Sequence, residues 1–430
     1  KYSLESLNRN LPIFASYEPG STFKIITTAA SVEEKIVNLA KEAKELGIEL
    51  LVLDDGWFGK RNGDDSSLGD WYVNREKLPL GIDGLAKRVN EEGLKFGLWL
   101  EPEMVSVDSD LYRVHPDWCI HVPDRVRCEA RNQLILDLSR PEVCDYVKDA
   151  VNKILKEANI SYVKWDMNRN MSQFGSAGLP ADRQKEMPHR YILGHYDIME
   201  EIMSNNPAVL FEGCSGGGGR IDYGTLKYFD EFWLSDNTDA LDRIYMQWGA
   251  TYFFPAMALA SHVSVTPNHQ TQRTTPLKFR FDVAMSAKLG MDLQPRDMSE
   301  EDKAFAKEAI QQYYKIRPVV QFGDLYRLIS PYNSPRAAMM YVSQDQDEAV
   351  VFSYLLKKQI HSDQQVLFLQ GLDPDKQYTI TEINRHPKNW SWFGERYEGK
   401  TYSGEFLMKY GVRFPMYNEY ESYVFHLQAK

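Results

Sequence analysis

Tyr-Val-Lys-Trp-Asp-Met-Asn (162–168) and Glu-Phe-Trp-Leu-Ser-Asp-Asn (231–237) are the stretches whose reading decides the fold. Each is apolar and aromatic, then turns abruptly polar at a carboxylate, Asp166 in the first and Asp236 in the second. A buried parallel strand that delivers a side chain to the reaction face of an α/β barrel reads this way. Strand side chains alternate, so Lys164, Asp166 and Asn168 share one face. Lys164 is then expected to hold Asp166 ionised, as an aimed nucleophile. Asp236 follows Trp233, and an apolar neighbour favours a protonated general acid. The competing reading of Asp236 is a helix N-cap, because Asn237-Thr238-Asp239 could open a helix. Two carboxylates so placed are the minimum equipment for cutting a glycosidic bond.

Outward from these runs, strands and helices alternate from residue 22 to about residue 320. Ser31-Val-Glu-Glu34 predicts a capping box opening a helix that ends at Gly47. Strands are expected at Ile48–Asp55, Lys95–Met104, 162–168, 208–214 and 231–236, with short runs at 260–265 and 289–293. Helices are expected at Asp83–Gly93, from Pro141 to about Ala158, at 186–204 and at Glu300–Ile316. With a first strand at Phe23–Thr28, the count is that of a (β/α)8 TIM barrel. A doubly wound sheet is the alternative, and it lacks the G-x-G-x-x-G between strand and helix that such sheets use for dinucleotides. Beyond residue 322 short alternating strands separated by turn clusters predict a small antiparallel β-sandwich. The expected domains are therefore a barrel at 31–322 and a sandwich at 323–430.

Composition narrows the partners. A net charge of −11 argues against nucleic acid and anionic membranes and favours a neutral substrate. Aromatics at 13% fit either sugar-stacking surfaces or a large core. Neither a signal-peptide pattern nor a membrane-spanning apolar run is evident. The cysteines (119, 128, 144 and 214) show no C-x-x-C spacing, and the histidines form no ligand set. We therefore expect no cofactor, no metal, and free thiols in a cytosolic protein.

Asp54, Asp55, Trp99, Glu101, Arg131 and Asp137 fall at strand ends or adjoining loops, where they could bind sugar hydroxyls or form rim ion pairs. Glu-Gly-Cys-Ser-Gly-Gly-Gly-Gly-Arg (212–220) lets backbone approach a ligand closely. It lacks the Lys-Ser/Thr that completes a phosphate loop.

Together, Leu-Asp-Asp-Gly-Trp-Phe-Gly, Gly-Leu-Trp-Leu-Glu-Pro-Glu-Met, Lys-Trp-Asp-Met-Asn-Arg, the glycine run and Ser-Asp-Asn-Thr-Asp resemble bacterial α-galactosidases of glycoside hydrolase family 36, over residues 31–430. The resemblance implies a retaining exo-α-galactosidase acting on melibiose- and raffinose-type sugars. Motif by motif, Asp166 resembles the family's nucleophile and Asp236 its acid/base. Asp54, Asp55, Trp99, Arg131, Lys164, Cys214 and Gly216 resemble its galactose-binding residues, and Asn168 joins them from the shared strand face. Family members are often tetramers, which implies a homo-oligomer.

Two departures stand out. The family's large N-terminal β-domain is missing from this sequence, and Lys24 falls where its first barrel strand carries a Trp. Residues 1–30 have their own resemblance: Tyr17-Glu-Pro-Gly-Ser-Thr-Phe-Lys24 is similar to the S-x-x-K region of penicillin-binding proteins, with Ser21 as the acylated residue. Ser235-Asp236-Asn237 supplies an S-D-N triplet, but K-T-G is absent and the nearest string is Lys400-Thr-Tyr402. The expectation is a chimaera in which a foreign segment replaces the first strand. Galactosidase activity would then be weakened, or lost in an inactive scaffold that still folds.

Overall fold

The computed structural model describes residues 29–358, 366–385 and 396–430. The expected strand at Phe23–Thr28, with Ser21 and Lys24, lies outside the described residues. The chain divides into two compact units, one ending at Asp236 and the other beginning at Asn237.

In the first unit, helix α1 (Ala29–Leu46) leads into strand β1 (Leu50–Leu53). Ser31 lies within α1, so the predicted capping box is not where this helix starts. Its glutamates serve otherwise: Glu33 and Glu34 both pair with Arg88. There follow α2 (Gly81–Glu91), β2 (Lys95–Leu100), β3 (Met104–Val105), α3 (Asp110–Val114), β4 (Leu134–Ile135), α4 (Pro141–Glu157), β5 (Tyr162–Trp165), α5 (Met187–Asn205), β6 (Leu210–Gly213) and β7 (Glu231–Trp233). Strands β1, β2, β5, β6 and β7 pair in that order, all parallel. Helix α4 shows why these elements form. Pro141 starts it where a missing N–H costs least, and Val143, Val147, Val151 and Ile154 recur at helical spacing on its buried face. The strands stop earlier than their apolar runs predict, so Asp166 and Asp236 stand just past strand ends. The expected strand Lys95–Met104 is broken after Leu100, before Pro102, and Met104 pairs antiparallel with Ile135 instead.

In the second unit come α6 (Ala240–Ala250), β8 (Leu259–Val263), α7 (Leu277–Ala284), β9 (Lys288–Met291) and α8 (Glu300–Phe322). Strands β8 and β9 are parallel. Helix α6 is capped by Asp239, whose carboxylate accepts from the Leu241 and Asp242 amides. Asp239, not Asp236, is therefore the N-cap that Asn237-Thr238-Asp239 suggested. Helix α8 runs six residues past the predicted Ile316, carrying Pro318 inside it.

The chain closes with strands β10 (Asp324–Ile329), β11 (Arg336–Val342), β12 (Glu348–Leu355), β13 (Val366–Leu367), β14 (Gln377–Ile383) and β15 (Thr401–Ser403), helix α9 (Gly404–Lys409), and strands β16 (Val412–Arg413) and β17 (Ser422–Ala429). An antiparallel sheet in the order β10-β11-β12-β17-β14-β15 forms, and β13 pairs with β16 apart from it. One apolar cluster takes Met340, Val351, Ile380 and Phe425 from the sheet and Leu367 and Val412 from the pair. Each large aliphatic or aromatic side chain buried there contributes about 1.5–3 kcal/mol. Beside it, fully buried Asp282 of α7 accepts from Lys278, Ser422 and Asn384.

Candidate active site

Asp166 is completely buried, and its carboxylate is aimed by three donors. Oδ1 accepts from the Met167 amide at 2.8 Å. Oδ2 accepts from the Trp99 indole at 3.2 Å and from Asn168 Nδ2 at 2.6 Å. Asn168 thus shares a face with Asp166 as the alternation predicts, although the strand itself ends at Trp165. The Asn168 amide in turn donates to Glu101, and Arg131, with φ of 53°, reaches the Asn168 carbonyl at 3.4 Å.

Lys164 sits below this group. It pairs across the parallel strands with Trp99 on one side and Glu212 on the other. Burial opposes its charge, but the carboxylates of Glu212, Asp54 and Asp166 around it hold its pKa above the ordinary lysine range. Its ammonium lies 4.7 Å over the Trp233 ring. The indole N–H of that same ring donates to Asp236 Oδ1 at 3.0 Å. Trp233 therefore meets Asp236 through a directional hydrogen bond, not simply as the apolar neighbour the sequence suggests.

Cys214 feels both carboxylates. Its buried thiol is pushed well above its usual pKa, first by burial and then by Asp166, with Asp236 and Glu212 adding to the effect. It is a neutral side chain that both acids influence. The glycine run packs against the backbone beside Asp236. Gly217 has φ of 92°, and a Cβ there would sit 3.0 Å from Ser235 Cα and 3.4 Å from the Asp236 nitrogen. Gly216, at φ of 54°, has only Asn168 Oδ1 within 4.0 Å of such a carbon. Asn168 Oδ1 is itself buried without a hydrogen-bond partner, an acceptor suited to a bound hydroxyl.

Asp54 and Asp55 divide their work. Asp54 is half-buried and accepts the Asp55 amide at 2.8 Å. Burial pushes its pKa up to about 7, with Lys164 opposing and Asp55 and Asp166 assisting. Asp55 is buried and gives both oxygens to Arg61. Glu101 is raised to about 8 by burial and by Asp166, against the pull of Arg131. Asp137 takes no free place: Ser139 and Ser176 occupy its oxygens.

Residues 28–323 match the Melibiase family model, and residues 336–427 match the glycosyl hydrolase family 36 C-terminal domain. The chain belongs to the melibiase family. Over 383 residues this melibiase-family chain is 50% identical to alpha-galactosidase AgaA of Geobacillus stearothermophilus, covering 89% of this chain and 50% of that protein. It is 44% identical to alpha-galactosidase 1 of Pediococcus pentosaceus, over 92% of this chain and 52% of that one. The crystal structure of AgaA superimposes with a TM-score of 0.87 at 49% identity, covering 93% of this chain and 53% of that chain. The fold is accordingly a TIM barrel followed by an antiparallel β domain. The chain spans about half the length of the curated relatives it matches.

Three groups escaped the motif reading of this melibiase-family chain. Arg61 fixes Asp55 from six residues downstream, in a loop with no periodicity to betray it. Glu212 was read only as the start of the glycine run, yet it is the first carboxylate to sustain the Lys164 charge. Glu103 closes Glu-Pro-Glu and binds Arg220 at the end of that run. All four cysteines are free. Among the described residues no cluster of His, Cys, Asp and Glu could hold a metal ion, and no helix is long and apolar enough to cross a membrane.

Proposed function

We propose that the chain is a retaining exo-α-galactosidase. Asp166 attacks the anomeric carbon, and Asp236 protonates the leaving oxygen and then activates water for the second displacement. The observation that carries this reading is the Asp166 carboxylate held by Trp99, Asn168 and the Met167 amide, with Asp236 held by the indole of Trp233, over which the Lys164 ammonium lies. Lys164 and Arg131 supply charged partners for sugar hydroxyls, Asp54 a carboxyl partner, Asn168 Oδ1 an open acceptor, and Gly216 the space for close approach. Asp55 acts from behind, held by Arg61. Terminal α-galactosyl residues of melibiose- and raffinose-type sugars are the substrates. A variant of the Geobacillus enzyme has been crystallised in complex with raffinose, which supports that choice.

Cytosolic residence and homo-oligomerisation complete the reading. Residues 1–30 we read as a foreign segment, on the likeness of Ser21-Thr-Phe-Lys24 to an S-x-x-K motif. Labelled penicillin should leave Ser21 unmodified, and a stoichiometric adduct there would revive the acyltransferase reading. The expected weakness of activity rests on Lys24. Equal kcat/KM for this chain and a full-length relative would remove it.

The test of mechanism is Asp166→Gly with an aryl α-galactoside. Turnover should vanish, and azide should restore part of it as the β-galactosyl azide, since a small anion fills the emptied face. Undiminished turnover without azide would take Asp166 out of the reaction.

A further inference from the structure

The double displacement leaves one large buried network unused, and it surrounds Glu103. This carboxylate is fully buried between β2 and β3. Its Oε1 accepts from Trp165 Nε1 at 2.8 Å and from Arg220 Nη2 at 2.7 Å. Its Oε2 accepts from the Tyr191 hydroxyl at 2.6 Å and from Arg220 Nη1 at 2.9 Å. The donors come from β5, α5 and the end of the glycine run. Two parallel bonds to a guanidinium fix angle as well as distance. Burial opposes the carboxylate charge, but Arg220 outweighs it and holds Glu103 down to about 2. The adjoining His195 stays neutral at about 4, through burial and the same arginine.

Both reacting carboxylates are tied to this group by short chains of contact. Trp165 immediately precedes Asp166, and Arg220 Nη1 also lies 3.4 Å from Met167 Sδ on its other side. Arg220 ends the loop that presses Gly217 against Ser235 and Asp236, and Gly218 against the Leu234 carbonyl. Resting on the galactosidase reading above, we propose that Glu103 is a positioning residue whose pairing with Arg220 sets where Asp236 stands relative to Asp166. It touches neither substrate nor reacting atoms. The Trp165 bond steadies the strand below the nucleophile, and the Arg220 fork steadies the loop that backs the acid.

The two chains of contact make distinct errors when cut. Glu103→Gln can still accept at one oxygen but loses the paired fork. The loop should relax and Asp236 should shift. Proton donation then suffers where the leaving group needs it, and hardly at all where it does not. In Glu103→Gln, kcat/KM on raffinose should fall about 100-fold, the scale of a misplaced catalytic group. On a dinitrophenyl α-galactoside it should change little, and azide should speed that turnover. Equal loss on both substrates would overturn the proposal. The double variant Glu103→Gln/Arg220→Met removes the unpaired buried charge. It should regain melting temperature while keeping the discrimination between substrates; recovery of raffinose hydrolysis along with stability would reduce the pair to a structural role.

Hydrogen exchange tests the same idea without turnover. Glu103→Gln should speed exchange over 214–219 and 235–236 while β1 stays protected. Unchanged exchange there would refute the clamp even if the parent chain were inactive, whereas an inactive parent with the expected exchange would refute only the galactosidase reading.

Discussion

The indole N–H of Trp99 points at Oδ2 of Asp166 from 3.2 Å, and the two residues stand at the ends of hydrogen-bonded parallel strands. Trp99 is thus a hydrogen-bond donor and not only an aromatic face. It is one of two donors to a single oxygen, the other being Asn168. Trp99→Phe keeps the ring and deletes the N–H. We expect kcat to fall about 10-fold, since one hydrogen bond to a charged group is worth roughly 1.5–3 kcal/mol and Asn168 retains part of the aim. Thermal stability should move little. A change confined to KM would assign Trp99 to sugar binding alone.

Asp236 is predicted to behave oppositely to Asp166 under azide. In Asp236→Ala the nucleophile survives, so an activated aryl galactoside still forms the glycosyl-enzyme, which then waits for a base. Azide should accelerate its release as the α-galactosyl azide. Product stereochemistry by NMR separates the two variants, and the β-azide from both would reverse the assignment.

The Lys164–Glu212 pairing predicts a coupled loss. Glu212→Gln removes the first carboxylate sustaining the buried ammonium, and Lys164→Met removes the ammonium itself. Breaking a buried charge pair from one side costs about 3–5 kcal/mol, so each single variant should be strongly destabilised and the double less than their sum. Chemical denaturation of the four proteins measures the coupling. Strict additivity would mean that the two side chains do not act on each other.

Much of this was legible in the chain. Asp166, Asp236 and their strands announce themselves because a buried strand must be apolar until it reaches the reaction face. What stayed hidden is contact between segments with no periodic signature. Arg61 and Asp55 meet in an irregular loop, and Glu103 and Arg220 are separated by more than a hundred residues. Glycine conformation shows the same limit. The run 212–220 reads as space for a ligand, yet Gly217 is needed against Ser235, and only Gly216 faces open space beside Asn168. Helix α6 was legible only as a competing reading with Asp236 as its cap, because three polar residues in a row do not say which one turns.

Asp282 offers a stability test remote from the chemistry. It is fully buried and accepts from Lys278, Ser422 and Asn384. Asp282→Ala strands the Lys278 ammonium and should cost about 3–5 kcal/mol. Lys278→Met/Asp282→Leu should recover much of that loss, because well-packed apolar pairs replace buried ion pairs at little cost. Failure of the double to recover would show that the Ser422 and Asn384 bonds, not the ion pair, hold α7.

The final prediction concerns pH. In the unfolded chain Asp and Glu titrate near 4. In the folded chain burial holds Asp54 at about 7 and Glu101 at about 8. Between about pH 4 and these values the folded state keeps protons that the unfolded state has released. The stability these groups contribute is therefore full below about pH 4 and is lost as pH rises through about 7 and then about 8. Melting temperature should fall from about pH 4 to about pH 8 on their account. Asp54→Asn cannot ionise, so its curve should be flatter through the first step and converge on the parent at low pH. Lys164 favours the ionised form of Asp54, so Lys164→Met should move that step to higher pH. Calorimetry across the range measures all three proteins, and parallel curves for the parent and Asp54→Asn would show that Asp54 is already ionised in the folded chain.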